Sequence, residues 1–206
     1  MEEFRERDQT ALERAVETNS VDAAKLLIQK GANIKKVDKK QRSLLMRSAE
    51  QGLCYMIKLL LKAGADANAY KHVCARSVGS SPCNQYEQEN ETRTSLAYAL
   101  GSGFQDAALL LIPETDLSCP NVLNPVLKYA GVLGHRGVLN ALLEKIGQIQ
   151  NCDIIESVKT LLISTIKFAH TEAFLDILNK YKDSDGIKSF LDDDSVLVTA
   201  VENKKC

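Results

Sequence analysis

Three residues of the types that bind zinc lie close together in the sequence: His72, Cys74 and Cys83. A structural zinc site normally has four ligands, and two of its cysteines are usually separated by two to four residues. Here one residue separates the first two candidates and eight separate the second and third, so no pair has that spacing. The pattern disfavours a metal site, and we expect the chain to need no metal and no cofactor.

Cysteine and histidine could also support nucleophilic catalysis, in which a thiol is activated by a nearby base that a third group orients. The three histidines, His72, His135 and His170, lie in separate parts of the chain, and His72 is too near Cys74 in sequence to make a convincing pair. Glycine-rich phosphate loops of the Walker or dinucleotide type are also absent from the sequence. We therefore predict that residues 1–206 have no enzymatic activity.

Two acidic runs, DSDG at 183–186 and DDD at 192–194, contain carboxylates that could bind calcium. An EF-hand loop needs oxygen ligands at alternate positions and a glutamate at its end. Ile187 interrupts that alternation, and the final glutamate is missing. Because carboxylates complement the dipole at the start of a helix, an acidic helix start is the simpler interpretation of both runs.

The elements that would hold any site come from an internal repeat. The segment LLIQKGANIKKV at 26–37 matches LLLKAGADANAY at 59–70 position for position, 33 residues further on. Each copy carries an apolar stripe at helical spacing. A glycine follows, Gly31 or Gly64, of the kind that ends a helix in the left-handed conformation. The pattern predicts a unit of two short helices.

Similar units follow along the chain. The third opens with TSLAYAL at Thr94, and the fourth contains PVLKYAGVLGHRG from Pro125, which we assign to the first turn of its first helix. The fifth keeps the apolar pattern without the glycines, and the last helix, SVLVTAVENKK, echoes TALERAVETNS of the first unit. We predict five units and half of a sixth, at residues 5–37, 38–70, 89–119, 120–150, 156–182 and 190–206.

Stacking explains why such units recur. Helices of about ten residues are too short to be stable alone, and one helix pair cannot cover its own apolar face. Burying each Leu or Ile against the neighbouring unit contributes about 1.5–3 kcal/mol, so the copies share one continuous core. Small residues at Ala15, Ser48, Ala99 and Ala130 would let the paired helices approach closely.

The signatures TAL…A…N with KLLIQKGANI, SLL…SA…G with KLLLKAGADANA, and TSL…A…G with LLLI resemble the ankyrin repeat family. The resemblance covers nearly the whole chain and is closest over residues 8–70. The family's Thr-Pro-Leu-His opening is never complete, and its histidine position holds Glu13, Met46, Ala97 and Lys128. The resemblance implies an all-α, ankyrin-type helical solenoid of about five repeats plus a half repeat, with a long loop insertion between repeats two and three.

The insertion covers residues 71–93 and lengthens the distance between two repeat openings from 33 to 51 residues. It is polar, with basic residues in its first half and acidic residues in its second. Repeat scaffolds place insertions in surface loops, often on the binding face. Two interpretations stay open: a tolerated loop, or a finger that contacts a partner.

The resemblance implies that the chain is a protein–protein interaction module, which binds through hairpin tips and the concave face of its first helices. Residues 34–42 form one such tip, with a local charge of +4 that either keeps the loop solvated or attracts an acidic partner. Carried over position by position, the predicted contact residues are Lys39, Lys40, Arg42, Glu50, Gln51, Tyr70, Arg93 and Ser102. Arg42 and Tyr70 are the preferred anchors, because arginine and aromatic residues dominate interface energetics.

Composition narrows the class of protein further. The net charge is −1, so no overall field attracts nucleic acid or a membrane surface, and we expect neither as a partner. The first residues lack an apolar signal region, and no apolar run approaches the roughly 20 residues of a membrane span. The six cysteines are then interpreted as reduced thiols. We expect a soluble, intracellular monomer, either cytoplasmic or, for a delivered effector, in a host cytosol.

Other functions stay open. The unpaired last helix would either cap the stack or lead into a longer chain. In the second case, residues 1–206 would be the substrate-targeting region of a larger enzyme, or of a secreted, host-directed effector whose active domain lies elsewhere. A third interpretation is a structural scaffold that holds two partners, one at the basic hairpin and one at the acidic C-terminal segment.

Overall fold

The structure is a computed structural model that describes residues 9–73, 91–149 and 154–191. Several sequence predictions lie outside the described residues: the thiols of Cys74 and Cys83, the acidic run at 192–194 and the predicted last helix. The described chain is helical apart from two short strands, so the predicted all-α class is confirmed. Within the described residues, no helix has the length and apolar character that crossing a membrane requires.

The chain divides into two compact units, residues 1–115 and 116–206. The elements of unit 1 are α1 (Ala11–Glu17), α2 (Val21–Gln29), α3 (Leu44–Glu50), α4 (Cys54–Lys62), β1 (Tyr70–Val73), β2 (Glu91–Thr94), α5 (Ser95–Gly101) and α6 (Gln105–Leu111). The elements of unit 2 are α7 (Pro120–Leu133), α8 (Arg136–Gly147), α9 (Ile154–Lys167), α10 (Thr171–Tyr181) and α11 (Asp185–Leu191).

Unit 1 is a stack of three helix pairs. The first helices form one layer, in which α3 packs against both α1 and α5, and the second helices form another, in which α4 packs against α2 and α6. Leu45, Met56, Ile57 and Leu96 are at most 1% exposed between these layers. At about 1.5–3 kcal/mol for each buried side chain, this shared core compensates for helices of seven to nine residues that would not form alone.

Each first helix of unit 1 begins at a hydroxyl side chain. The Oγ atoms of Thr10, Ser43 and Thr94 accept hydrogen bonds from the backbone N–H groups three residues later, at 3.2, 3.2 and 3.4 Å. The Thr10 N–H also donates to the Glu13 carboxylate at 2.6 Å, which completes a capping box. The helix starts are therefore capped, although the histidine of the Thr-Pro-Leu-His opening is missing three residues after each capping residue.

The predicted break between the two helices of each pair is a residue in the left-handed conformation. Asn19, Gly52, Gly103, Gly134 and Ala169 take this position in the five pairs, with φ between +52° and +80°. Glycine adopts this conformation without strain and asparagine tolerates it, whereas alanine is disfavoured there. The fifth pair thus keeps the turn at an energetic cost, because its sequence has lost the glycine.

Both hairpins of unit 1 begin from the same strand pairing. Val37 pairs with Ser43 in the first hairpin, and the equivalent residues Tyr70 and Thr94 pair in the second. In the second hairpin the antiparallel ladder continues for three more pairs, as far as Val73 opposite Glu91. The ends of the insertion are therefore strands, which the sequence analysis did not predict.

In its described residues, unit 2 has two helix pairs and one further helix. The first helices α7 and α9 pack together, α8 packs against α10, and α11 packs against α9. Helix α11 was not predicted, although its first residue, Asp185, confirms an acidic helix start for the DSDG run. Its Ile187 side chain is fully buried.

The prediction that Pro125 lies in the first turn of its helix is wrong. Helix α7 begins at Pro120 and runs for 14 residues, so that Pro125 lies inside it. Pro120 occupies the first helical position instead, where a missing N–H has no cost. The helix therefore begins more than one turn before Pro125, where the repeat pattern places its start.

Helices α7 and α9 approach closely at Gly131. The Ser164 Cβ atom on α9 occupies the space that a Cβ atom on Gly131 would need. The neighbouring Ala130 is fully buried, as are Ala99 and Ser48 at the equivalent positions of unit 1. Small residues at this level of the first helices were predicted, and their burial confirms that part of the pattern.

Candidate functional site

The tip of the first hairpin, residues 38–42, is held by hydrogen bonds within itself, and we call it the basic tip. The Asp38 N–H donates to the Arg42 carbonyl at 2.9 Å. Asp38 Oδ1 accepts from the backbone N–H groups of Lys40 and Arg42, both at 2.8 Å. These bonds fix the backbone that carries Lys39 and Lys40, and both lysines are exposed to solvent.

Arg42 connects the basic tip to α3. Its Nε donates to Asp38 Oδ2 at 2.9 Å, and its Nη1 donates to Glu50 Oε2. Partial burial raises the pKa of Asp38, but hydrogen bonds from the Arg42 backbone and side chain and its positive charge outweigh that effect, so the pKa lies below its ordinary value. The Arg42 side chain is 17% exposed and is engaged within the chain.

Beside the basic tip, residues of α1, α3 and the first hairpin line a groove of about 880 Å³, which we call the charged groove. The lining residues are Gln9, Glu13, Arg14, Glu17, Lys36, Val37, Asp38, Lys39, Lys40, Arg42 and Arg47. Lys36 Nζ lies 3.7 Å from Glu13 Oε2, and Arg47 Nη2 lies 3.2 Å from Glu17 Oε1. These ion pairs connect the hairpin with α1 and α1 with α3, so the walls of the groove hold one another.

The charged groove carries a positive excess. Among the described residues of its lining, six side chains are cationic and three are anionic, which gives them a formal charge of +3 in a protein whose net charge is −1. Glu50 pairs with Arg42 from outside the lining set and reduces the excess to +2. The positive charge is therefore local to this surface and is balanced elsewhere in the chain.

Charged residues of both hairpins and of α3 act on the phenol of Tyr98 on α5. Burial raises its pKa first of all; the charges of Arg93 and Arg42 lower it, and those of Glu50 and Asp38 raise it again. The charge of Arg93 on the second hairpin and that of Arg42 on the first thus act on the same phenol. Arg93 holds the position equivalent to Arg42, directly before the residue that caps the next helix.

The structure places all eight predicted contact residues in unit 1. Lys39, Lys40 and Arg42 line the charged groove, and Glu50 borders it through its ion pair with Arg42. The other four lie outside the lining set. Tyr70 is 57% exposed on β1, and Arg93 is half-buried on β2. Gln51 and Ser102 are exposed and are the C-cap residues of α3 and α5. The part that all eight residues play in binding stays a prediction.

Sequence reasoning missed two basic residues of the groove, Arg14 and Arg47, whereas Lys36 lies in the basic segment 34–42 without being among the predicted contact residues. Arg14 and Arg47 are 33 residues apart, which is the repeat period, and Tyr98 follows 51 residues after Arg47 at the same position of the third repeat. That spacing was the available signal. It places three large polar side chains on the same face of three successive first helices.

A second, smaller cavity of about 450 Å³ lies in unit 2 between the turns of its two helix pairs. Here His170 Nε2 donates to the Val132 carbonyl at 2.7 Å, and His135 Nδ1 accepts from the Val138 N–H at 3.4 Å. Arg136 forms two hydrogen bonds with the Asp176 carboxylate. Both histidines thus serve the turns that begin α8 and α10. Among the described residues, no group of three or more His, Cys, Asp or Glu side chains is placed to hold a metal ion.

Comparison with known proteins shows which sequences and structures this chain is similar to. Residues 2–71 match the family model of ankyrin repeats, described as three copies. The crystal structure of the human ASB11 ankyrin repeat domain is similar over 83% of this chain and 69% of that one, with a TM-score of 0.60 and 20% sequence identity. Comparison with curated proteins gives no match. The resemblance to ankyrin repeats and the predicted ankyrin-type helical solenoid are both confirmed.

Proposed function

We propose that this ankyrin-repeat chain binds another protein through the basic tip and the charged groove of unit 1. Ankyrin repeats are in general protein-interaction modules, and the observation that carries the proposal is the self-bonded basic tip. Asp38 holds its backbone and Arg42 fixes it to α3, while Lys39 and Lys40 face solvent.

A rigid tip favours binding for an entropic reason. Ordering a flexible side chain or loop at an interface costs about 0.5–1.5 kcal/mol for each immobilised residue. The hydrogen bonds of Asp38 and the ion pairs of the groove order these groups in the unbound chain. Less ordering is then left to be done when a partner arrives.

The side chains divide into two roles in this proposal. Lys39, Lys40 and the exposed Tyr70 contact the partner, because they project from the two hairpins. Arg42 and Asp38 are positioning residues, because they are committed to holding the tip. Replacing a contact residue should weaken binding without changing stability, and replacing a positioning residue should change both.

The experiment compares two triple variants of the full chain by quantitative crosslinking in lysate. The test variant is Lys39→Ala/Lys40→Ala/Tyr70→Ala, and the matched control is Lys25→Ala/Lys30→Ala/Tyr55→Ala. The control removes the same side-chain types from α2, from its C-cap and from α4, where all three residues are exposed and none lines the groove. Far-ultraviolet circular dichroism checks that both variants are folded.

The proposal expects the wild-type chain and the control to capture the same protein and the test variant to lose it. Capture by the folded test variant at the wild-type level would show that the basic tip and Tyr70 are not the contact surface. Equal loss in both variants would show a dependence on overall charge, which would also count against a specific surface.

A further inference from the structure

We infer that the partner presents an acidic, extended peptide segment to the charged groove. This inference rests on the proposed function and specifies the chemistry of the ligand. It starts from the positive excess of the groove lining, in which six cationic side chains outnumber three carboxylates.

The carboxylates of the groove are already engaged within the chain. Glu13 accepts from the Thr10 N–H and pairs with Lys36. Glu17 accepts from Gln9 at 2.7 Å and from Arg47 at 3.2 Å. Glu17 also pairs with Arg14 at 4.0 Å, and Asp38 is occupied by Arg42 and two backbone N–H groups. Each carboxylate of the described lining thus has partners within the chain, while the described cationic side chains outnumber the carboxylates. An incoming group that complements this surface must therefore bring acceptors with negative charge.

The cations stand on both sides of the groove. Lys36 and the two lysines of the basic tip lie on the hairpin side, and Arg14 lies on the helical side. The side chains of Lys36 and Arg14 are 40% and 57% exposed, so their charged groups are accessible. A chain that runs between these two sides could place carboxylates alternately toward each, because successive side chains of an extended peptide point to opposite faces.

Peptide carboxylates fit this surface better than nucleic acid does. Proteins that bind single strands stack bases on aromatic side chains, and none of the described residues that line the groove is aromatic. The charge excess is also small, whereas binding to a phosphate backbone depends on many cationic contacts. Glu13, Glu17 and Asp38 lie among the cations, and they would repel a continuous row of phosphates more than a peptide with spaced acidic residues.

The test selects ligands from a library of random linear peptides displayed on phage. The full chain is used as bait in three forms: wild type, Lys39→Glu/Lys40→Glu, and the matched control Lys25→Glu/Lys30→Glu, whose lysines lie on α2 and at its C-cap, outside the groove. Selected peptides are then synthesised, and their affinities for the three forms are measured by fluorescence anisotropy at about 0.05 M and about 0.5 M salt, where charge screening differs strongly. A labelled single-stranded oligonucleotide is measured in parallel.

The inference expects peptides enriched in Asp and Glu over the starting library. Their affinity should fall about tenfold or more for Lys39→Glu/Lys40→Glu, and by a similar factor at the higher salt, while the control variant binds as wild type does. Since steering acts mainly on encounter, most of the loss should be in the association rate.

Four outcomes would overturn the inference, and they separate it from the proposed function. Peptides that depend on the two lysines but show no acidic enrichment would refute the acidic ligand and leave the binding surface standing. Peptides that bind the Lys39→Glu/Lys40→Glu form as tightly as wild type, or a selection that yields none, would count against both. Binding of the oligonucleotide in preference to every peptide would replace the peptide with nucleic acid.

Discussion

Substitution of Asp38 should loosen the basic tip by a predictable amount. The carboxylate accepts three hydrogen bonds, at 2.8, 2.8 and 2.9 Å, and its side chain is 14% exposed. Hydrogen bonds to charged groups contribute about 1.5–3 kcal/mol each, but the freed backbone N–H groups at this turn can reach water. We therefore expect Asp38→Ala to cost about 1.5–3 kcal/mol in total, and Asp38→Asn to cost less, because its amide oxygen can still accept from the backbone.

Amide hydrogen exchange measures this loss where it occurs. A loss of about 1.5–3 kcal/mol at the tip corresponds to roughly tenfold to hundredfold faster exchange of the Lys40 and Arg42 N–H groups, since about 1.4 kcal/mol is a factor of ten. The matched control is Asp66→Ala in the second repeat, where the carboxylate accepts from a single N–H, that of Asn68, at 2.8 Å. It should speed exchange at Asn68 and leave the basic tip unchanged.

The pH dependence separates the charge of Asp38 from its shape. Its folded-state pKa lies below the ordinary value, so the carboxylate contributes stability above its unfolded pKa of about 3.9, and that stability is lost as the pH falls through the folded value. The difference in stability between wild type and Asp38→Asn should be largest near neutral pH and should shrink in acid. Two results would refute the idea that Asp38 holds the tip. One is a stability difference between wild type and Asp38→Asn that stays constant down to about pH 2. The other is an exchange rate of the Lys40 N–H in Asp38→Ala that matches wild type.

Three further predictions concern stability. Ala169→Gly should raise the free energy of unfolding by about 0.5–1 kcal/mol, because Ala169 has φ of +56°; Ala173→Gly, inside α10, should lower it in the same urea titration. Gly131→Ala should cost about 1–3 kcal/mol, since its Cβ would meet Ser164 Cβ, and adding Ser164→Gly should recover part of the lost midpoint. Burial raises the pKa of Tyr98, so an ultraviolet titration of wild type against Tyr98→Phe should assign to it a phenol that ionises above the ordinary value near 10. The stability from neutral Tyr98 should be lost as the pH rises through that folded pKa.

The repeat period carries most of the fold information that the sequence offers. Gly31 and Gly64 were predicted to end helices in the left-handed conformation, and both have positive φ, of +86° and +87°. The stripe around Met56 and Ile57 was predicted to be apolar core, and both residues are fully buried. These predictions succeed because periodic burial and helix termination are local properties that leave a mark at fixed spacing.

The features that were missed depend on contacts which the period does not encode. Helix α11 contains one buried apolar residue, Ile187, which is too few to show a helical stripe. The strands that extend the second hairpin are short and polar, so they lack the alternation that signals a sheet.

Only part of the candidate site could be predicted, because some of its contacts leave no local pattern in the sequence. Charge density pointed to Lys39, Lys40 and Arg42, since a cluster of basic residues is visible in the sequence. The role of Asp38 depends on the backbone path of the tip. Glu17 pairs with Arg47, 30 positions further along the chain, and no local sequence pattern indicates that contact.

The extended ladder of the second hairpin has a consequence for how the protein can change over evolution. The chain leaves the stack at Val73 and returns at Glu91, and these two residues face each other across the last pair of the ladder. Because the exit and the return are adjacent, each doubling of the length of a flexible loop that joins them costs about 0.6 kcal/mol in loop closure. Insertions, deletions or an entire grafted domain could be exchanged at this point while the helices on either side keep their packing, so this hairpin is a place where the protein can acquire new specificity.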